Sequence, residues 1–180
     1  MEWSTAITII LGSSVLGAAL NNFVGWNQKK SDRTTQATFI ALNLAHLFEQ
    51  YSYACLSAAE HHDTAESSGG YAGTYIKDIP PFPDLPDYEY QVFDLGILDT
   101  VFDFPHQVSF AVEGFSFMFE VLDGEDALKE GYKRCLTLAR QSLLVADSIR
   151  QRYNLKPRSM SFGDYSARKR ITEKLAAVSK

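Results

Sequence analysis

Residues 3–28 of this 180-residue chain carry no charge, and its only two tryptophans, Trp3 and Trp26, stand near the ends of that stretch. As a helix rising about 1.5 Å per residue, the interval between them spans about 35 Å, slightly more than the roughly 30 Å hydrocarbon core of a bilayer. Tryptophan favours the headgroup level, where its ring is half buried and its N–H stays wet. The stretch therefore predicts an N-terminal transmembrane helix. The chain starts Met-Glu, and the positive charges Lys29, Lys30 and Arg33 follow the apolar run instead of preceding it. That order argues against a cleavable signal peptide. It predicts a single-pass protein of the inner membrane, with the N-terminus outside and the bulk of the chain cytoplasmic. Ser13, Ser14, Asn21 and Asn22 are costly in hydrocarbon unless they are bonded, and they favour the alternative of a helix in a soluble bundle. Against that alternative stands the absence of any charged face.

Gly12 and the small pairs Ser13 with Gly17 and Ser14 with Ala18 permit close helix–helix approach in lipid, and Asn21 is able to hydrogen-bond across such a contact. A homo-oligomer held through this helix is therefore expected, with membrane lipid as a further partner and the protein partner unknown.

Beyond the anchor, periodicity predicts an all-α architecture: the transmembrane helix followed by an antiparallel bundle of four or five helices. The units are an anchor at 1–28, a cytoplasmic bundle at 29–158 with a long Gly/Pro loop at 64–89, and a basic C-terminal helix within 159–180. A helix over 34–62 shows apolar residues at helical spacing, including Phe39, Leu42, Phe48, Tyr51 and Cys55. The loop's tyrosines and phenylalanine predict that it packs over the core. A short helix is expected over 90–102, and Asp103-Phe104-Pro105 reads as a restart, because proline is comfortable in a first helical turn. A Phe-rich helix then runs over 105–122, followed by a helix over 125–153 with an acidic first turn and a basic last turn.

Charge is divided along the chain. From Glu60 to Glu130 there are 16 acidic residues against 2 basic ones, and from Gly131 to Lys180 there are 3 acidic against 12 basic. Such asymmetry either staples two halves of a domain together or presents a basic end to an anionic surface. Arg168, Lys169 and Arg170, with Lys29, Lys30 and Arg33, are the candidate residues for a membrane surface. Nucleic acid is disfavoured as a partner, because the chain is acidic overall and its basic residues lack an aromatic stripe.

Chemistry-bearing patterns are sparse. His46 and Glu49 share a helix face as one partial copy of a bundle metal motif, and Glu60-His61-His62-Asp63 closes a predicted helix. His46, Glu49, His61 and His62 are thus the candidate metal ligands, with hydrogen-bonded or solvated histidines as the plainer reading. His106, Glu113 and Glu120 recur every seven residues as a polar stripe, solvated or facing Arg134, Arg140 or a ligand. No nucleophile stands beside a base, no phosphate-binding glycine motif is present, and Cys55 and Cys135 form no CxxC pair. No catalytic residue and no cofactor is assigned.

The order of a membrane helix, a long Ala-rich helix ending near Tyr53-Ala-Cys55, a Gly/Pro loop with Pro80-Pro-Phe-Pro83, and aromatic helices resembles that of small bacterial membrane-anchored helical proteins of unknown role. The resemblance implies no activity. The expected function is a membrane-anchored assembly or interaction protein. The alternatives are a membrane-permeabilising effector or small pore, and a hydrolase or metal enzyme.

Overall fold

The computed structural model describes residues 3–121 and 124–178, with side chains from Ser31 onward. Four helices dominate the described residues: α1 (Trp3–Ser67), α2 (Leu95–Val121), α3 (Gly124–Arg152) and α4 (Ala167–Val178). A single 3₁₀ turn (Tyr90–Val92) precedes α2, and a two-stranded hairpin, β1 (Ser161–Phe162) and β2 (Tyr165–Ser166), precedes α4. The hairpin was not expected. It closes through Gly163 at φ +56°, and it takes the residues that the sequence assigns to the start of the last helix.

The expectation of a transmembrane helix is overturned. Among the described residues, no helix is long and apolar enough to cross a membrane. The uncharged stretch is the first part of α1, a continuous 65-residue helix that goes on through Lys29, Lys30 and Arg33 into the bundle. Ser13, Ser14, Asn21 and Asn22 dilute its apolar character. The single-pass topology, the inner-membrane localisation and the membrane-anchored description fall with it. The side chains of Trp3, Gly12, Ser13, Gly17, Asn21, Trp26, Lys29 and Lys30 lie outside the described residues, and so do the oligomer contacts expected of them.

From Ala37 to Ala65, α1 buries Ile40, Ala41, Leu44, Ala45, Phe48, Tyr51, Cys55, Leu56 and Ala59. These positions recur every three or four residues and form one stripe. The stripe faces α3, which buries Cys135, Leu136, Ala139, Leu143, Ala146 and Ile149. The two helices run antiparallel, since Ser142 Oγ donates to the Phe48 carbonyl at 2.7 Å while the Tyr132 ring lies 5.3 Å from that of His62.

The connection after α1 is an extended strap. Its contacts descend α1 in order: Thr74 N bonds His61 O at 3.1 Å, Pro80 O accepts from Tyr51 Oη at 3.0 Å, Phe82 packs 5.1 Å from Phe48, and Tyr88 packs 6.3 Å from Phe39. Proline-rich chain advances about 3.1 Å per residue. The interval from Thr74 to Glu89 thus reaches about 45 Å, enough to retrace the helix from His61 to Gln36, about 38 Å at the helical rise. Gly73, at φ +77°, starts the return, and a Cβ there would stand 2.6 Å from Ala65 N. The strap explains the loop's length. It also corrects the expected antiparallel bundle: α2 starts beside the middle of the chain's first helix and runs parallel to α1, with α3 antiparallel to both.

Two expected helices over 90–102 and 105–122 are one helix, α2, with Pro105 inside it. Proline there removes one backbone hydrogen bond and costs roughly 3 kcal/mol. Val101, Phe104 and Val108 are buried on both sides of it, and burial of that many apolar groups, at about 1.5–3 kcal/mol each, outweighs the loss. Asp94 caps α2 by accepting from Ile97 N at 3.1 Å, while Arg152 donates to its other oxygen from Nε at 3.0 Å and Nη2 at 2.8 Å. The Arg152 hydrogen bonds, with help from the Ile97 N–H, hold the Asp94 carboxyl below the usual carboxylate range. A depressed folded-state value contributes stability that is present above the ordinary carboxylate value and is lost as pH falls through the folded one. Thermal melting against pH is therefore expected to show an acid-side loss that Asp94→Asn removes. An identical acid limb in the variant would place the effect elsewhere.

Candidate functional site

Viewed down its axis, α2 has two apolar faces. One buries Leu98, Val101, Phe104, Val108 and Phe115. On the other, at 100° per residue, Leu95, Phe102, Phe110, Phe117 and Val121 fall within an arc of roughly 100°. All five are exposed, Phe110 at 71% and Phe117 at 64%. Interleaved in the same arc are Asp99, Asp103, His106, Glu113 and Glu120, all exposed; Asp103 also accepts from Gln107 Nε2 at 2.6 Å. No Lys or Arg occurs anywhere in Leu95–Val121. The outer face is thus aromatic and acidic, with His106 as its one basic side chain.

The polar stripe of His106, Glu113 and Glu120 lies on this outer face and does not meet Arg134. That side chain turns inward. Its Nε bonds Glu130 Oε1 at 3.0 Å, its Nη1 donates to Ala111 O at 3.1 Å, and Gly114 leaves it room, because a Cβ there would stand 2.6 Å from Nη1. Arg140 is exposed on α3. Sequence reasoning did not single out the exposed phenylalanines. The signal was the number and spread of phenylalanines on one helix: Phe102, Phe104, Phe110, Phe115, Phe117 and Phe119 cannot all point into one buried stripe.

The pair His46 and Glu49 is brought together, and not with a metal set. Glu49 is 1% exposed. Arg150 Nε bonds its Oε1 at 2.7 Å and Arg150 Nη2 its Oε2 at 3.1 Å. Arg158 Nη1 reaches the same Oε2 at 3.1 Å and His46 Nδ1 at 2.7 Å. Neither arginine was anticipated, since nothing local in the sequence links them to α1. A guanidinium only donates, so Nδ1 accepts from Arg158, and the Gln50 side-chain amide nitrogen lies 3.0 Å from His46 Nε2. His61 is exposed, whereas His62 is buried between the Tyr75 and Tyr132 rings and receives Ile76 N at Nδ1. Among the described residues, no group of three His, Cys, Asp or Glu is placed to hold a metal ion. Burial pushes the Cys55 thiol up to about 12 and raises that of Cys135, so both stay protonated and unreactive at neutral pH.

The basic tail is partly turned onto the acidic half of the chain: Arg170 pairs with Glu60 and Lys174 with Asp63, while Arg168 grips Asp147, within the basic half, at 2.7 and 2.6 Å. Its hydrogen bonds to the Asp147 carboxylate raise the Arg168 pKa further. Lys169 lies 3.7 Å from Glu173, and Arg33 is exposed. Comparison with protein-family models, with curated proteins and with solved structures finds no match to this chain.

Proposed function

We propose that the protein is an interaction module, and that the outer face of α2 docks a basic amphipathic helix of a partner protein. The observation that carries this reading is the exposed row of Leu95, Phe102, Phe110, Phe117 and Val121 set among carboxylates on a helix that has no Lys or Arg of its own. A row of exposed aromatic side chains is a surplus of apolar surface of the kind that partners cover, and each ring withdrawn from water contributes about 1.5–3 kcal/mol. Asp99, Asp103, Glu113 and Glu120 then select the partner's charge. A second copy seated through the same face sets carboxylates against carboxylates, which disfavours it.

The test is a titration of the full chain with two designed amphipathic helical peptides that share Leu and Phe anchors and differ only in Lys or Glu on their flanks. Fluorescence anisotropy is expected to show binding of the Lys peptide alone, weakened by salt, and about tenfold or more weaker for the Phe110→Asp/Phe117→Asp variant. Equal binding of both peptides, indifference to the double substitution, or self-association through α2 in sedimentation would each overturn it.

A further inference from the structure

A groove of about 710 Å³ opens where α1 meets the segment leading into the hairpin, lined among others by His46, Tyr53, Arg158, Ser159, Ser161 and Phe162. Its charge does not balance. Glu49 is the one carboxylate in the lining, and Arg150 already neutralises it through two hydrogen bonds. Arg158 adds a second positive charge, and its Nη1 lies 2.7 Å from His46 Nδ1. The orientation of Arg158 is fixed as well. Both protons of Nη1 are spent on Glu49 and His46, which pins the ring-like plane of the guanidinium. Its Nε and Nη2, the side-on fork, meet no acceptor among the described residues. That fork matches the two oxygens of a carboxylate.

Around the fork the groove supplies hydroxyls, from Ser159 and Ser161, and uncovered aromatic surface, from Tyr53 at 52% and Phe162 at 91% exposure. Met160, which also lines the groove, holds a left-handed backbone at φ +50°. For an unbranched residue other than glycine, asparagine or aspartate that conformation is disfavoured, and such strain collects at ligand-binding loops.

We propose that this groove binds a small aromatic carboxylate, its carboxylate on the Nε/Nη2 edge of Arg158 and its ring against Tyr53 and Phe162. The buried Glu49–Arg150 pair is the support that holds Arg158 in place. The reading is independent of the α2 face, with which the groove shares no residue.

The experiment is calorimetric titration of the full chain with 2-naphthoate, 2-naphthamide and phenyl phosphate. Naphthoate is expected to bind, with the amide about tenfold or more weaker, the share of a charge-assisted hydrogen bond. Arg158→Gln is expected to lower naphthoate affinity by a similar factor. Because Arg158 also touches buried Glu49, a second variant, Ser161→Glu, places a negative charge in the groove without disturbing that contact and is expected to abolish binding. Circular dichroism confirms that both variants are folded. Equal affinity for acid and amide, unchanged affinity in Ser161→Glu, or no heat up to roughly 10 mM naphthoate would overturn the proposal. Tighter binding of phenyl phosphate would overturn the choice of carboxylate.

Discussion

Glu49→Ala is expected to cost about 3–5 kcal/mol of folding stability. The reason is what the substitution leaves behind. Arg150 is 8% exposed, and apart from Glu49 its guanidinium has one further partner among the described residues, the Lys156 carbonyl at 3.0 Å from Nη1. With the carboxylate gone, a full positive charge stays buried with nothing to neutralise it, and Arg158 and His46 lose their shared anchor. The pair itself is a different matter. Two charges taken out of water together gain little net stability, so Glu49→Leu combined with Arg150→Met is expected to lie closer to the parent than either single change. Urea unfolding checks both claims: the midpoint should fall in the single variants with an unchanged slope, and recover in the double. A loss below about 1 kcal/mol for Glu49→Ala would mean that the pair behaves as an exposed one. If the single variant is folded, its groove should also have lost its hold on Arg158, which ties stability to the ligand titration.

Glu49 also shows how far the chain was legible. His46-x-x-Glu49 was visible as a shared helix face, since three residues apart on a helix is a local relation. Arg150 and Arg158 stand more than a hundred positions further on, and only the antiparallel docking of α3 on α1 delivers them. The metal reading of the pair rested on the missing long-range partner, and an arginine supplied what a cation would. Local rules served best where one signal acted alone. The bounds of α3 were readable because Glu125 and Asp126 open it and Arg150 and Arg152 close it, around a single buried stripe. They failed where tertiary packing overrode them. Pro105 reads as a helix start, yet Phe104 and Val108 belong to one core and keep α2 whole. The uncharged stretch at 3–28 reads as an isolated span, yet its backbone is the beginning of the helix that builds the bundle. The strap was expected to pack, from its aromatic content. Its role in returning the chain so that α2 runs parallel to α1 has no local signature, because it depends on matching an extended length to a helical one.

Phe104→Ala is expected to cost about 3–5 kcal/mol, with an effect that spreads along the strap. Phe104 is 1% exposed, and its ring lies 5.2 Å from Phe48, 5.7 Å from Tyr51 and 5.2 Å from Phe82. These four rings are where α1, the strap and α2 meet. Truncation removes the apolar transfer term and leaves a void that rigid aromatic neighbours fill poorly. Phe82 then loses a wall, and the strap retains Tyr51 Oη to Pro80 O as its hold at that level. Hydrogen exchange should therefore quicken across 76–90 before it quickens in α3. Phe110→Ala removes the same atoms from the same helix six positions later, and is expected to change stability by less than about 0.5 kcal/mol because that ring already faces water. The contrast is the physical test of the two-faced helix. If Phe110→Ala also destabilised the fold by several kcal/mol, its ring would be part of the core, and the outer face of α2 would have no surplus aromatic surface to offer a partner. If it leaves the fold untouched while weakening the Lys peptide, the phenylalanines of α2 divide into one set that holds the chain together and another that is kept in water for binding.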